Sequence, residues 1–196
     1  GCKRFAPADC PALKTLLDAG PSALPAILDA LDDPRQPLRL QAARIAGYSQ
    51  LGPAADRAAS LLALLDKTAP DVSGEIVDAL GRVGHPTATA RVHKLLASPE
   101  TDGRTLIFAA NALGRLKGEG SLAALVKLMD HAMPRVQQAG AANLGRLGDA
   151  AAVAPLINRA IAEQVPRFVR AECAASLALL GDLRAVPALV LLLARR

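Results

Sequence analysis

The chain has 196 residues, 52% hydrophobic but only 2% aromatic, with a formal net charge of +5. That length supports one domain with a continuous core, and a core of Ala and Leu favours close helix packing over a β-sandwich. No apolar run reaches the roughly eighteen residues of a membrane-spanning helix, and the scattered basic residues, mostly Arg, form no block of the kind found in nucleic-acid tails.

Residues 1–9 read as an irregular leader, and residues 10–196 as a single solenoid. The pair Gly1-Cys2 resembles the end of a bacterial lipobox, which would make Cys2 an acylated residue and tie the protein to a membrane on the periplasmic side. The other readings are a Cys2–Cys10 disulfide, which requires an oxidising compartment, and an ordinary N-terminal boundary of a cytoplasmic protein. Residues 11–19 and 21–31 then read as two short helices, each opened by a proline that suits a first helical turn.

From residue 36 the chain writes one sentence five times. Residues 38–47 read LRLQAARIAG, 72–81 VSGEIVDALG, 105–114 TLIFAANALG, 136–145 VQQAGAANLG and 169–178 VRAECAASLA. The last residues of these units fall at 47, 81, 114, 145 and 178, giving spacings of 34, 33, 31 and 33. Such a period means stacked helical hairpins, none able to bury its apolar face alone. Second helices are expected at 36–50, 71–83, 103–117, 134–147 and 166–180. First helices are expected at 54–67, 86–97, 119–131, 150–163 and 183–195. Gly84, Gly148 and Gly181 supply left-handed helix ends, and Asp149 and Asp182 can cap the segments that follow. Cys173 sits on the apolar stripe of its helix and reads as a core residue.

The recurrent unit resembles a HEAT repeat of the short class found in phycobilisome-lyase-like proteins. The resemblance rests on Val136, Ala141, Leu144, Gly145, Leu147, Gly148 and Asp149, and on Val169, Arg170, Ala174, Leu177, Leu180, Gly181 and Asp182 in the same frame. Proline-leucine steps at Pro155-Leu156 and Pro187-Ala188-Leu189 belong to the first helices, and Leu24-Pro25 echoes them. The resemblance covers residues 20–196. It implies an all-α fold, a right-handed α-α superhelix of about five to six hairpins. It is silent on function, because such folds host many roles.

Each unit can be numbered from its first residue as offset zero. Offsets 0, 4, 8 and 11 then form the stripe that packs on the first helix, and the small residue at offset nine allows close helix approach. Offsets 3, 6 and 10 form a second strip, which the resemblance places on a concave face. It carries Gln41, Arg44 and Tyr48 in the first unit and Glu75, Asp78 and Arg82 in the second. The third offers Phe108, Asn111 and Arg115, the fourth Ala139, Ala142 and Arg146, and the fifth Glu172, Ala175 and Leu179. One reading is a partner-binding ladder of Arg82, Arg115 and Arg146 beside Tyr48, Phe108 and Asn111, suited to carboxylates on an acidic protein or peptide. The other is that these arginines only complement helix C-terminal dipoles, and that Asp78 and Arg82 form an ordinary helical ion pair.

No catalytic, cofactor-binding or metal-ligating constellation emerges. His85, His93 and His131 fall in different elements, none is followed by Glu, and no Cys-x-x-Cys, His-Glu-x-x-His or Gly-x-Ser-x-Gly occurs. The expected role is a non-enzymatic protein-interaction scaffold without a cofactor. By resemblance alone, a subunit of a lyase that attaches bilins to phycobiliproteins is an alternative. A HEAT-like DNA-binding protein is another, weakened by Glu75, Asp78 and Glu172 on the strip. Val190, Leu191, Leu192 and Leu193, in the apolar segment 185–194, cannot all be buried by one neighbour, which predicts either that the natural chain continues or that this end meets a partner or another copy.

Overall fold

A computed structural model of the chain describes residues 11–65 and 70–194, so the leader with Cys2, and Cys10 after it, lie outside the described residues. Those residues form helices and connections without a strand. They gather into two compact units, divided after Ala88.

The first unit begins with α1 (Pro11–Asp18), which buries Leu13 and Leu17, four residues apart on one face. A 3-10 turn, Gly20–Ala23, leads into α2 (Leu24–Asp29), so the expected 21–31 helix is broken into short pieces. Helices α3 (Gln36–Ala46), α4 (Ala54–Leu65) and α5 (Pro70–Val83) follow. The expected 36–50 helix ends early because the chain turns out at Tyr48 into a second 3-10 turn, Ser49–Leu51. Leu31, Leu51, Leu61, Ile76 and Leu80 are fully buried and make the core. The guanidinium of Arg57 is also buried, donating to the Gly52 carbonyl at 2.9 Å and the Gly47 carbonyl at 3.1 Å. It thereby satisfies one carbonyl at the end of α3 and one at the end of the 3-10 turn that no helical N–H reaches, although burial pulls its pKa down.

The second unit alternates first helices α6 (Ala88–Ala97), α8 (Ser121–Leu128), α10 (Val153–Ile161) and α12 (Val186–Ala194) with second helices α7 (Gly103–Leu116), α9 (Pro134–Leu147) and α11 (Arg167–Leu180). The second helices pack side by side, α9 against both α7 and α11, and each of α9 and α11 also packs on its first helix, α8 and α10. Val136 and Leu144 of the apolar stripe are fully buried. Gly140 completes that stripe: a Cβ there would sit 2.9 Å from the Leu125 carbonyl oxygen of α8. Offset nine faces sideways instead. A Cβ on Gly145 would meet Ser176 of α11, its Cβ at 2.8 Å and its Cα at 2.9 Å, so α9 and α11 touch backbone to backbone.

Helix ends follow the sequence signals. Gly148 and Gly181 adopt φ of +78° and +67°, and Asp149 and Asp182 accept the N–H groups of Ala151 and Arg184. Helix α7 is capped by Asp102, which accepts from Arg104 N–H at 2.8 Å and from Thr105 N–H at 3.1 Å, and also from the Thr105 hydroxyl at 2.7 Å. Cys173 is fully buried, and burial pushes its thiol up to about 12.

Candidate functional site

In the second unit the strip of offsets 3, 6 and 10 runs over α7, α9 and α11, with Ala139 buried at its middle. Arg115 and Arg146 are exposed, while Phe108 and Asn111 are half-buried. Offsets 6 and 10 are drawn together by a residue between them. Asn143, fully buried, donates to Asn111 Oδ1 and to the Ala139 carbonyl, both at 2.9 Å. Its own Oδ1 accepts from the Arg146 guanidinium at 2.7 Å. The arginine therefore stands on a buried amide that fixes its direction and leaves the rest of the fork facing outward. Gln138 of α9 donates to Glu172 of α11 at 2.9 Å. That bond ties the two helices together and occupies the acid that offset 3 brings to the strip of this unit.

Sequence reasoning missed the start of this strip. Arg104, Arg135 and Phe168 stand one place before the repeat frame, four residues before offset 3, and so share its face. The Arg104 guanidinium lies 5.6 Å from the Phe108 ring centre, and that of Arg135 lies 5.3 Å from the Phe168 ring centre. Phe168 remains 42% exposed. The helical period would have found all three had the frame been extended back by one residue. Asn143 and Ser176 were missed as well. Their signal was a polar residue at offset seven, where earlier units carry Ile45, Ala79 and Ala112.

In the first unit, Gln41 and Arg44 lie on α3 and Tyr48 on the turn that follows it, all half-buried. On α5, Arg82 makes a close ion pair with Asp78 and donates to the Arg44 carbonyl at 2.9 Å. Arg44 in turn lies 3.7 Å from Glu75, which is only 2% exposed. Glu75 is thus a buried partner of Arg44 and not the groove charge expected of it. The reason is the close approach of α3 and α5: a Cβ on Gly47 would lie 2.7 Å from Arg82 Nε and 3.2 Å from Ala79 Cα. Arg82 belongs to this unit, Arg115 and Arg146 to the other.

The histidines serve local structure. His85 Nδ1 pairs with the Thr87 hydroxyl at 2.9 Å, His93 Nε2 donates to the Glu119 carbonyl at 3.0 Å, and His131 Nδ1 accepts the Met133 N–H at 3.0 Å. Among the described residues no three His, Cys, Asp or Glu side chains are placed to hold a metal ion. None of the described helices is long and apolar enough to cross a membrane.

Comparison with known proteins bears on this architecture. No curated protein matches the sequence. Among solved structures, an engineered protein is 22% identical, with 85% of this chain and 83% of that one covered at a TM-score of 0.55. A designed armadillo repeat protein in complex with the peptide (KR)4 is 18% identical, covering 86% and 90% at a TM-score of 0.54. Human deoxyhypusine hydroxylase in complex with glycerol is 20% identical over 96% of this chain and 84% of its own, but at a TM-score of 0.42 that likeness carries no argument. The two former likenesses show an α-solenoid fold. The family model for HEAT repeats matches residues 24–106 and 58–143, and that for the PBS lyase HEAT-like repeat matches residues 169–195. With stacked hairpins in both units, and matches spanning more than half of its length, the chain belongs to the HEAT-repeat family.

Proposed function

We propose that this chain is a non-enzymatic interaction scaffold, and that its second unit holds an extended acidic segment of a protein partner along the second-helix strip. The observation that supports this most is the arrangement on α7 and α9. Arg104 and Arg115 mark the two ends of one helix and Arg135 and Arg146 the two ends of the next, and all four are exposed. Between them lie the small Ala142 and the half-buried Asn111 and Phe108. Exposed guanidinium groups around this floor suit carboxylates on an extended chain, with Arg135 and Arg146 each already held in direction by one bond, to Gln138 and to Asn143. Phe168 and Phe108 add apolar area beside them, and Arg and aromatic residues are the side chains on which binding energy concentrates. A designed armadillo protein of similar fold holds the basic peptide (KR)4. On this chain the exposed charge of the strip is basic, so the matching peptide is acidic.

The test is fluorescence anisotropy with a labelled peptide of alternating Glu and Asp, using (KR)4 as the sign-reversed control. Saturable binding of the acidic peptide, weakened together by Arg115→Ala and Arg146→Ala and absent for (KR)4, is the expected result. Equal binding of both peptides, or acidic binding untouched by the arginine substitutions, would remove this reading. Self-association through the exposed apolar residues of α12 predicts instead a concentration-dependent mass in analytical ultracentrifugation, abolished by Leu193→Glu.

A further inference from the structure

Between α6 and α8 lies a cavity of about 520 Å3, within the size range of small-molecule sites. Its floor is apolar, formed by Leu96 of α6, Leu106 of α7, and Ala124 and Leu128 of α8. Leu106 and Leu128 are each 6% exposed, so they are core residues whose outer surface forms the cavity floor.

The rim has a definite polarity. Because His131 Nδ1 accepts the Met133 N–H, the ring proton of the neutral imidazole must reside on Nε2, at the ring's other edge. Lys127, exposed on α8, brings an ammonium to the same rim, and Ser98 brings a hydroxyl. His93 is already committed, donating Nε2–H to the Glu119 carbonyl. Among the described residues Asp130 is the one acid lining the cavity, and it is drawn toward Arg159 of α10, 3.4 Å away. The rim therefore offers two hydrogen-bond donors on α8 and the turn after it, one of them a full positive charge, over a floor of aliphatic side chains.

We propose that this cavity binds a small apolar carboxylic acid, its hydrocarbon on the leucine floor and its carboxylate on Lys127 and His131 Nε2–H. A sugar or nucleotide would leave many polar groups unpaired against that floor. An apolar molecule without a charge would forgo the charge-assisted bond at the rim.

The experiment is calorimetric titration of the full chain with octanoate, with 1-octanol as the uncharged control. One-site saturable binding of octanoate is expected. Lys127→Met should weaken it about tenfold, the worth of one charge-assisted hydrogen bond, and leave octanol unchanged. Ala124→Phe, which places a ring in the cavity, should abolish both without altering the far-ultraviolet circular dichroism. Three results would each overturn the proposal: no saturable octanoate binding by the native chain, equal octanoate affinity in Lys127→Met, or octanoate binding that survives in Ala124→Phe. The lysine variant changes an exposed side chain, so its outcome does not depend on how the helix tolerates phenylalanine.

Discussion

Gly145→Ala should separate two neighbouring repeats. The added methyl would lie 2.8 Å from Ser176 Cβ and 2.9 Å from its Cα, against the roughly 3.5–4.0 Å at which carbon atoms rest. One of those atoms is backbone, so no rotamer change relieves the contact, and α9 and α11 must move apart. Overpacking of this kind costs about 1–3 kcal/mol. The shift also stretches the bond from the Ser176 hydroxyl to the Ala141 carbonyl, now 2.9 Å, which contributes about 1 kcal/mol. Alanine's better helix propensity returns about 1 kcal/mol. The net loss is about 2 kcal/mol, or about 5 °C in Tm. Because stacked repeats are coupled through nearest-neighbour interfaces, the loss falls on the α9–α11 interface and should broaden the unfolding transition as well as lower its midpoint. Urea and thermal melts followed by circular dichroism read both quantities. A variant as stable as the native chain, or more stable through its helix propensity, would show that offset-nine glycine does not set the spacing.

Asn143→Leu removes the amide that joins Asn111, Ala139 and Arg146; it should cost about 1–3 kcal/mol in denaturant melts, because Asn111 loses its partner at a part-buried site. Asp102→Ala should cost about 1 kcal/mol through loss of the α7 cap. Burial raises the Asp102 pKa, but bonds from the Thr105 hydroxyl and the Thr105 and Arg104 N–H groups outweigh it and hold the carboxyl below its ordinary 3.8. With the folded value below the unfolded one, that contribution is complete above the unfolded value and fades as pH falls through the folded value. The Tm difference between native and Asp102→Ala should therefore shrink in acid melts. Cys173, buried with its thiol pushed up to about 12, should resist iodoacetamide at neutral pH and label only at the urea concentrations that unfold α11, as read by mass spectrometry.

The helices and their ends were readable because their signals are local. Pro134 and Gly148 bound α9 at the expected residues, and Asp149 and Asp182 cap as their positions suggested. The expected helices that began at residues 150 and 183 start instead as 3-10 turns, Ala150–Ala152 and Leu183–Ala185, before α10 and α12. The candidate face was only partly readable, because a strip along a helix says which residues point one way and not what crosses from the next helix. Arg82 and Asp78 have helical spacing, so their pair could be anticipated; the bond from Arg82 to the Arg44 carbonyl spans two helices and could not. Glu75 shares its offset with Phe108 and Glu172, yet it alone of the three is fully buried, because Gly47 and Ala79 let α3 and α5 approach closely.

The residues at offset seven have a consequence for assembly. An array of near-identical hairpins is exposed to a copying error, in which one helix takes the seat of its neighbour. Asn143 opposite Gly114 and Ser176 opposite Gly145 give two adjoining seats different locks. A serine in the seat of Asn143 is too short to span from the Ala139 carbonyl to the Asn111 amide and the Arg146 fork together. An asparagine in the seat of Ser176 would face Ala142 and Leu179 at the offsets where Asn143 has Asn111 and Arg146, leaving its amide short of partners. Each exchange leaves a polar group stranded, so a repetitive sequence carries its own page numbers.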